Sequence, residues 1–409
     1  MSFDTALSGL SAASQDLDVI GNNVANSGTV GYKQSQIQFA DIYANSLADS
    51  ASLQVGTGTK VAQVEQQFVQ GNITASNNPM DVAINGQGFF VMDSGGSTVY
   101  TRNGQFQLNK NGNIVNANGD ILKGYPLSSN GQITTGALSD LVINSSNMAP
   151  SATTKINAGL NLDATSTAPA TAFNTTDPTT YNNSTSTTIY DSLGNSHVLQ
   201  TYYVTNGTGS WNVYASLDGT PVGYTPPATA VPVTTLTFSS SGALSGGSPV
   251  SLSLPLTDGA STPMSVSLNY TGTTQYGSVF GVNSMQQNGY TSGQLSNFTI
   301  GSDGMITGNY TNSQSTTLGQ VALANFADPN GLQAIGNNEW ISTYASGPAL
   351  AGVPGSASLG VLQSSATESS NVDLTKQLVD MITAQRDYQA NAQTIKTEDA
   401  VTQTLLSLR

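Results

Sequence analysis

The chain has 409 residues, too many for a single hydrophobic core, so two or three domains are expected. Charged residues make up only 8% of it, and 10 Lys and Arg stand against 24 Asp and Glu, which gives a net charge of −14. This acidity, together with the absence of any Lys or Arg between Lys155 and Lys376, argues against nucleic acid or an anionic membrane as a partner. The lack of cysteine excludes disulfides, thiolate catalysis and cysteine-ligated metals.

The N-terminal sequence shows no cleavable export signal. Residues 1–24 contain Asp4, Asp16 and Asp18 but no Lys or Arg and no continuous apolar run, so a secretory signal peptide is not expected. No stretch of the chain approaches the ~20 apolar residues that a transmembrane helix requires. If the chain is exported, it leaves by a route that reads a different signal.

The first predicted element is an amphipathic helix with a seven-residue repeat. Its apolar residues fall into two registers, with Phe3, Leu10, Leu17 and Val24 in one and Ala6, Ala13 and Ile20 in the other. This spacing is typical of the a and d positions of a coiled coil. The stretch IGNNVANSGTVGYK, residues 20–33, follows the repeat, and its asparagines and glycines predict a turn.

The long central part of the chain predicts β structure. Between about 55 and 145, short runs of alternating apolar and polar residues are separated by Asn-Gly pairs, which are a strong local signal for β-hairpins. These pairs begin at Asn85, Asn103, Asn111, Asn118 and Asn130. From about 150 to 284 follow Ser- and Thr-rich strands such as HVLQTYYVT, with almost no charge. Hairpin-like sequence resumes and continues to about 345, and residues 346–360 predict an irregular connection.

The last predicted element is a second, longer heptad helix. Its seam consists of one register with Leu374, Met381, Tyr388 and Ile395 and of the neighbouring Leu378, Ala392 and Leu406. Asp373, just ahead of the apolar run, places the helix start near 371–373. Strict heptads at both ends of the chain favour helix–helix assembly, since a helix packed on a sheet does not need a period of 3.5.

This order of elements predicts an α+β multidomain fold with an inner coiled-coil layer formed by the terminal helices. Two mainly β domains are nested outward, and the chain goes out through them and returns. The predicted regions are an inner helical domain of 1–30 with 362–409, a linker of 31–70 with 346–361, a middle β-domain of 71–145 with 285–345, and an outer β-domain of 146–284.

The sequence offers little for catalysis, and we expect no enzyme activity, no cofactor and no metal site. His197 is the only histidine, and neither HExxH nor GxSxG occurs. We expect His197 to have a packing or surface role on a strand. The carboxylates Asp191, Asp218 and Asp258 are scattered along the sequence and are interpreted as solvated surface groups.

Two functions of different classes fit these features. The first is a self-assembling structural subunit whose terminal helices bury their seams against each other and against neighbours, because head-to-tail contacts that do not close generate an open helical polymer. The second is a secreted carbohydrate-binding or adhesive β-protein, suggested by SWNVY around Trp211. The terminal heptads have no purpose in the second interpretation, so the first is favoured.

Three blocks of the sequence resemble the bacterial flagellar rod and hook proteins. Residues 6–33, ALSGLSAASQDLDVIGNNVANSGTVGYK, are similar to the N-terminal signature of that family. MDVAINGQGFFVM and the following YTRNGQFQLNKNGNIVNANGDILKGYPL are similar to its middle segment, and residues 368–409 resemble its C-terminal signature, with TESSNVDL where LENSNVDL is common. The 150–284 insertion favours the hook proteins over the distal rod-type proteins of the family, which are usually shorter.

The resemblance implies a structural subunit of the flagellar hook, the flexible helical tube that serves bacterial motility as a universal joint. It implies an extracellular location at the flagellum and export through the flagellar type III route without a cleaved signal peptide. The implied partners are further copies of the chain, the distal rod protein, the hook cap scaffold and the hook–filament junction proteins, with no nucleic acid and no membrane insertion.

The resemblance also implies roles for individual residues. In this family the motif carried here by Asn22, Asn23, Asn26, Gly31 and Tyr32 joins the inner helix to a linker between neighbouring subunits. We expect Asn22 and Asn23 to end the helix, Gly31 to permit a chain reversal, and Tyr32 to anchor the chain in an apolar contact. The predicted subunit-interface residues are Phe3, Leu7, Leu10, Leu17, Ile20, Val24, Leu374, Leu378, Met381, Tyr388, Ile395 and Leu406.

Overall fold

The computed structural model describes residues 2–42, 56–128, 130–144, 146–207, 209–223 and 229–407. The chain divides into two compact units. Unit 1 consists of residues 1–145, 297–309 and 315–409, and unit 2 consists of residues 146–296 and 310–314. Neither α-helix within the described ranges combines the length and the apolarity needed to cross a membrane.

Both predicted terminal helices are present in unit 1, α1 over Ser2–Ala25 and α2 over Leu374–Ser407. The start of α2 is fixed by Asp373, whose Oδ1 accepts hydrogen bonds from the backbone N–H groups of Thr375 (2.9 Å) and Lys376 (3.2 Å). Such a carboxylate satisfies N–H groups that have no partner inside the helix. The predicted start near 371–373 is therefore confirmed.

Strands account for a little under half of the described residues between these helices. The outgoing part contains β1 (Ser35–Ile42), β2 (Gly58–Gln66), β3 (Ile73–Ala75), β4 (Val82–Asn85), β5 (Phe89–Ser94), β6 (Ser97–Thr101), β7 (Gln107–Leu108), β8 (Ile114–Val115), β9 (Ile121–Pro126) and β10 (Ser139–Asp140). Unit 2 contains β11 (Lys155–Asp163), β12 (Asn183–Tyr190), β13 (Ser196–Thr205), β14 (Ser210–Leu217), β15 (Thr220–Pro221), β16 (Thr234–Phe238), β17 (Leu244–Gly246), β18 (Val250–Leu254), β19 (Met264–Asn269), β20 (Thr274–Tyr276) and β21 (Gly281–Gln287). The returning part contains β22 (Leu295–Ile300), β23 (Met305–Tyr310), β24 (Ser315–Val321), β25 (Leu323–Asn325), β26 (Gln333–Gly336), β27 (Glu339–Ile341), β28 (Leu350–Gly352), β29 (Val361–Ser364) and β30 (Ala366–Glu368).

The large sheet of unit 1 is built from both passes of the chain. Its main order is β22–β23–β24–β9–β5–β6–β27–β26, so the outgoing strands β9, β5 and β6 lie between returning ones. Phe68, Phe89, Phe326 and Trp340 pack edge to face in its aromatic core, with ring centroids 5.4 to 5.8 Å apart. Neither pass completes this sheet alone, so unit 1 folds only when the outgoing and returning segments meet.

Three of the five Asn-Gly pairs form the hairpin turns predicted for them, those at Asn111, Asn118 and Asn130. The pair at Asn85 forms no hairpin, because β4 pairs with the returning strand β29. The pair at Asn103 forms none either, because the Gly104 carbonyl accepts from the N–H of Val82 (2.9 Å). Long-range approaches of the backbone, which a local signal does not encode, replace the hairpins at these two positions.

Unit 2 consists of two sheets that share one core. The first has the order β18–β19–β11–β20, with β21 also paired to β11, and the second has the order β12–β13–β14–β16–β17, with β15 paired to β14. Leu160 and Val266 of the first sheet are fully buried together with Tyr203 and Trp211 of the second. The Ser- and Thr-rich region therefore folds as a two-layer β structure, in which apolar side chains alternate with polar ones.

Unit 2 ends later in the sequence than predicted. Strand β21 pairs antiparallel with β11, and isolated bridges then join Tyr290 to Ser151 and Gly293 to Met148. A boundary at residue 284 would cut β21, so the unit extends to Ser296. The finer division of the remaining residues into helical, linker and middle regions stays a prediction.

Replacement of Leu160 by Ala is expected to destabilise unit 2 by about 2–5 kcal/mol, because it leaves a cavity in the shared core. Leu160 is 0% exposed there. Urea unfolding followed by tryptophan fluorescence measures the loss, with Trp340→Phe in every protein compared so that the signal comes from Trp211 of unit 2. Leu193→Ala is the matched control, since Leu193 is exposed in the same unit. Equal losses for the two variants would contradict the assignment of this core.

Candidate functional site where the terminal helices meet the first strands

The terminal helices pack on each other through small side chains. Ala6, Ala12 and Ala13 of α1 are buried, as is Ala384 of α2. Gly9 faces Asn391, where an added Cβ would lie 2.8 Å from the side-chain oxygen. Because the distance between packed helices depends on the side chains at the contact, these small residues bring the two helices close together.

Most of the larger predicted interface residues remain at the surface of the chain. Ile20 is buried, whereas Leu10, Leu17, Val24, Met381 and Ile395 are partly buried and Phe3, Leu7, Leu374, Leu378, Tyr388 and Leu406 are exposed. Val379, Ile382 and Val401 add to the exposed apolar residues of α2. The seams were expected to be buried against each other and against neighbouring copies. Within one chain the register with Ala6, Ala13 and Ile20 is buried, and the six exposed residues stay predicted contacts to neighbours.

Asn23 is the centre of the junction between the helices and the first strand. Its Nδ2 donates to the Ser35 carbonyl (2.8 Å) and to Gln377 Oε1 (3.1 Å), and its Oδ1 accepts from the Ser35 N–H (2.9 Å) and lies 3.2 Å from Tyr32 Oη. Asn23 and Gln377 are both buried. Both amide N–H groups and the amide oxygen are thus used to join α1, β1 and α2.

Asn22 and Asn26 hold the turn that follows α1. The helix runs to Ala25, so Asn22 and Asn23 do not end it, in contrast to the expectation. Asn26 Nδ2 instead donates to the Asn22 carbonyl (3.0 Å), and Tyr32 Oη donates to Asn22 Oδ1 (2.8 Å). Burial raises the pKa of the Tyr32 hydroxyl. Tyr32 therefore anchors the chain by hydrogen bonds rather than by the apolar contact expected.

Gly31 provides the predicted chain reversal. Its φ of +72° lies in the left-handed region, and its N–H donates to the carbonyl of Glu368 (2.8 Å). A Cβ at this position would lie 2.7 Å from the backbone nitrogen of Asn103. Both the conformation and the close approach of a second backbone segment therefore require glycine.

A buried ionic cluster lies next to this turn. Lys33 Nζ is 2.7 Å from Glu368 Oε1 and also donates to the Val69 carbonyl (2.8 Å). Arg102 Nη1 is 3.6 Å from Glu368 Oε2, and Arg102 Nη2 donates to the Gly86 carbonyl (2.9 Å). The exposed fractions of the Lys33, Arg102 and Glu368 side chains are 0%, 4% and 0%. The cluster joins residues 335 positions apart in the sequence.

The cluster contains two cations and one carboxylate, and burial determines its electrostatics. Burial lowers the pKa of Lys33, and the charge of Glu368 opposes that shift. Burial likewise lowers the pKa of Arg102, again opposed by Glu368. Glu368 Oε1 also accepts from the N–H of Gly71 (2.9 Å). Because this single carboxylate faces both cations, its removal would leave two buried charges without a counter-ion.

Asn371 ties the returning chain to the same region just before α2 begins. Its Oδ1 accepts from the N–H of Gln34 (2.8 Å), and its Nδ2 donates to the carbonyls of Gln67 (2.7 Å) and Val69 (3.1 Å). The segment entering α2 is thus bonded to the two segments that flank the β1–β2 hairpin.

Sequence reasoning missed Lys33, Arg102, Glu368, Asn371 and Gln377 as site residues. Lys33 closes the N-terminal block and Glu368 opens the C-terminal block of the family resemblance, so their positions carried a signal. A further signal was the scarcity of basic residues, since only 10 are present in 409. Their pairing was not visible, because it depends on contacts between distant segments.

The structure also corrects the interpretation of three acidic residues of unit 2. Asp191, Asp218 and Asp258 are not independent surface groups, because all three converge on His197 at distances of 2.7 to 3.6 Å. The His197 side chain is largely withdrawn from solvent. This cluster takes no part in the junction described above.

Four protein-family models match the chain in sequence order. They are the flagella basal body rod protein model at residues 3–33, the flagellar hook protein FlgE/F/G D1 domain at 83–158, the flagellar basal body protein FlaE D2 domain at 161–290 and the flagellar basal body rod FlgEFG protein C-terminal model at 363–408. Rod-protein models at both ends, with a hook-protein D1 domain and a basal body protein D2 domain between them, define the class of flagellar rod and hook proteins.

Full-length relatives specify the family within that class. The chain is 44% identical over 416 residues to the flagellar hook protein FlgE of Salmonella typhimurium (strain LT2), with 100% of both chains covered. It is 41% identical over 417 residues to FlgE of Escherichia coli K12 at the same coverage, and 30% identical over 444 residues to FlgE of Borreliella burgdorferi, with 99% of this chain and 98% of that one covered. The chain belongs to the flagellar hook protein FlgE family.

A solved structure shares the fold. The crystal structure of the Helicobacter pylori flagellar hook protein FlgE2 matches with a TM-score of 0.54 at 13% sequence identity. The match covers 72% of this chain and 100% of that chain. At this identity the likeness concerns the fold alone.

Replacement of Glu368 by Gln is expected to cost about 3–5 kcal/mol of unfolding free energy, because Lys33 and Arg102 then lie buried without a counter-charge. Urea unfolding followed by circular dichroism measures the loss. Asp18→Asn serves as the control, since Asp18 is an exposed carboxylate on α1. A loss for Glu368→Gln no larger than that of the control would contradict the role of the cluster.

Replacement of Gly31 by Ala is expected to cost about 1–3 kcal/mol, because alanine is strained at this left-handed φ and its Cβ meets backbone that cannot turn aside. Gly28→Ala is the matched control, since Gly28 lies in the same turn and a Cβ there has no atom within 4 Å. Thermal melting of both variants should show a lower midpoint for Gly31→Ala only. Equal midpoints would show that the turn adapts to a side chain.

Proposed function

We propose that this chain is the repeating structural subunit of the bacterial flagellar hook. Copies of it assemble into a flexible helical tube that acts as a universal joint and transmits torque from the rod to the filament. The single observation that carries the proposal is the exposed apolar face of the terminal helices, in a chain whose full length matches hook proteins.

The exposed face is organised along α2. Leu374, Leu378 and Ile382 follow each other at four-residue spacing, which places them on one side of the helix. Their exposed fractions are 46%, 48% and 50%. Contiguous exposed apolar side chains mark contact surfaces in soluble proteins. Further copies of the same chain are the proposed occupants, because a contact that repeats head to tail without closing generates an open helical polymer.

The surface chemistry of unit 2 supports a joint that bends. No Lys or Arg occurs between Lys155 and Lys376, so neighbouring copies have few salt bridges with which to lock one arrangement in this region. Ser, Thr and Asn side chains, which dominate the surface here, form hydrogen bonds that water replaces at little net cost. We infer that contacts through unit 2 shift while the helices hold the polymer together.

The further partners follow from the family resemblance. We propose that the ends of the tube contact the distal rod protein, the hook cap scaffold and the hook–filament junction proteins. We also propose that the chain is exported through the flagellar type III route to the extracellular hook and has no catalytic role. In this account the terminal helices form the inner layer of the tube.

Replacement of Leu378 by Asp is expected to abolish tube formation while leaving the unfolding free energy of the monomer within about 0.5 kcal/mol of the parent. The side chain is half exposed in the single chain, whereas in the polymer a buried, unpaired carboxylate would be costly. Electron microscopy and sedimentation of concentrated protein detect the tubes. Tubes formed by Leu378→Asp as readily as by the parent would contradict the proposal.

Thr394→Asp is the control for this experiment. Thr394 is exposed and lies sixteen residues from Leu378 on α2, which corresponds to about 160° around the helix. It adds the same charge to the same helix on the opposite side. Tube formation is expected to persist in this variant, and its loss in both variants would indicate an effect of net charge rather than of the apolar face.

A further inference from the structure

The only histidine of the chain faces three carboxylates in unit 2. His197 Nδ1 is 2.7 Å from Asp218 Oδ2, and His197 Nε2 is 3.3 Å from Asp258 Oδ2 and 3.6 Å from Asp191 Oδ2. The exposed fraction of the histidine side chain is 12%, and that of Asp191 is 0%. These carboxylates are the acidic groups that face His197 among the described residues.

The four side chains come from both sheets of unit 2, with His197 on strand β13 and the three aspartates in connecting segments. Asp191 lies in the turn between β12 and β13, and Asp218 lies in the turn between β14 and β15, all in one sheet. Asp258 lies in the segment between β18 and β19, which belong to the other sheet. Asn195 Nδ2 bridges Asp191 Oδ2 (2.9 Å) and Asp258 Oδ2 (3.1 Å). The cluster therefore connects the two layers at one edge of their shared core.

The arrangement favours a cation at His197. A neutral imidazole has one N–H, and the bond to Asp218 occupies it, so the lone pair on Nε2 would face two carboxylate oxygens. An imidazolium instead presents an N–H on each side. Lys155 is the one Lys or Arg in the sequence of unit 2, so the unit has little other positive charge with which to balance these carboxylates.

The directions of the pKa shifts agree with this charge state. Burial opposes the charged form of His197, but the bond and the charge of Asp218, with Asp191 and Asp258, outweigh it and raise the pKa above its ordinary value of 6.5. Burial also opposes the charge on Asp191, but hydrogen bonds from Asn195 and Leu193 lower its pKa to about 2. The pKa of Asp218 is lowered in spite of burial, by the Val198 N–H and by His197.

We propose that protonated His197 is a pH-dependent clamp between the two sheets of unit 2, and that the clamp opens when the medium becomes alkaline. Loss of the proton leaves three carboxylates around a neutral ring, and the loop that carries Asp258 loses its ionic contact with the opposite sheet. The proposal concerns the stability of unit 2 and is independent of the hook assembly proposed above.

The sign of the pH dependence follows from the raised pKa of His197. In the unfolded chain the imidazole titrates near 6.5, and in the folded chain it titrates at a higher pH. The stabilisation is therefore fully present below about pH 6.5 and is lost as the pH rises through the folded value. Unit 2 is expected to be more stable in weakly acidic than in weakly alkaline medium.

An NMR titration of the full chain tests the clamp, because a single histidine gives a single Cε1–H resonance. We expect the pKa of His197 to lie above 6.5 in the parent. Asp218→Asn should lower this pKa more than Asp258→Asn does, and Asp177→Asn should leave it unchanged. Asp177 is the control because it bonds the N–H of Thr179, where asparagine caps equally well. A parent pKa at or below 6.5 would overturn the proposal.

Urea unfolding of His197→Gln and of the parent across the same pH range provides the second measurement. The unfolding free energy of the parent should exceed that of His197→Gln by an amount that shrinks as the pH rises. A difference in unfolding free energy that does not change with pH would contradict the clamp. The parent titration carries the test alone if the variant does not fold. Both measurements are repeated with EDTA and with equimolar Zn²⁺. If zinc displaces the proton of the His197 imidazolium near neutral pH, the cluster is a metal site and the proposal is overturned.

Discussion

The fold of unit 1 depends on one buried ionic contact between segments that lie 335 residues apart. Lys33 and Arg102 share Glu368, and all three side chains are withdrawn from water. Desolvation of three charges is costly, and their attraction offsets it only while the geometry is kept. Closing so long a loop also costs entropy before any contact forms. We infer that the cluster chiefly specifies one arrangement of the two ends of the chain, since other arrangements leave a charge buried and unpaired.

This constraint orders the elements around it. Gly31 turns against the carbonyl of Glu368, Asn23 bonds Gln377 of α2, and Asn371 bonds the segments that flank the β1–β2 hairpin. The exit of the chain from α1 and its entry into α2 are thus fixed together. In a polymer of identical subunits, each copy must present its helices at the same angle, and a junction held by many hydrogen bonds meets that requirement better than a flexible linker. The alanine contact between the helices leaves larger apolar side chains exposed, and these form the proposed contact with other copies.

Local sequence patterns predicted which elements form better than they predicted which elements contact each other. The two terminal helices, the start of α2 at Asp373 and the hairpins at Asn111, Asn118 and Asn130 were readable because capping and turn chemistry act within a few residues. The heptads correctly indicated helices, but they did not show which of the two apolar registers of α1 is buried within one chain. The ionic cluster and the convergence of three aspartates on His197 were not readable, because each depends on pairing between distant segments. The boundary of unit 2 was misplaced for the same reason, since β21 pairs with the first strand of the unit.

A double-mutant cycle between Lys33 and Glu368 tests the central claim most directly. Lys33→Met, Glu368→Met and the double variant remove the charges singly and together while keeping apolar volume, and urea unfolding gives the free energy of each. The account predicts that the double variant is less destabilised than the sum of the two single variants by about 2 kcal/mol or more, because each single variant leaves a buried charge with a poorer partner. Losses that add within about 0.5 kcal/mol would show that the two side chains act independently and would contradict the account.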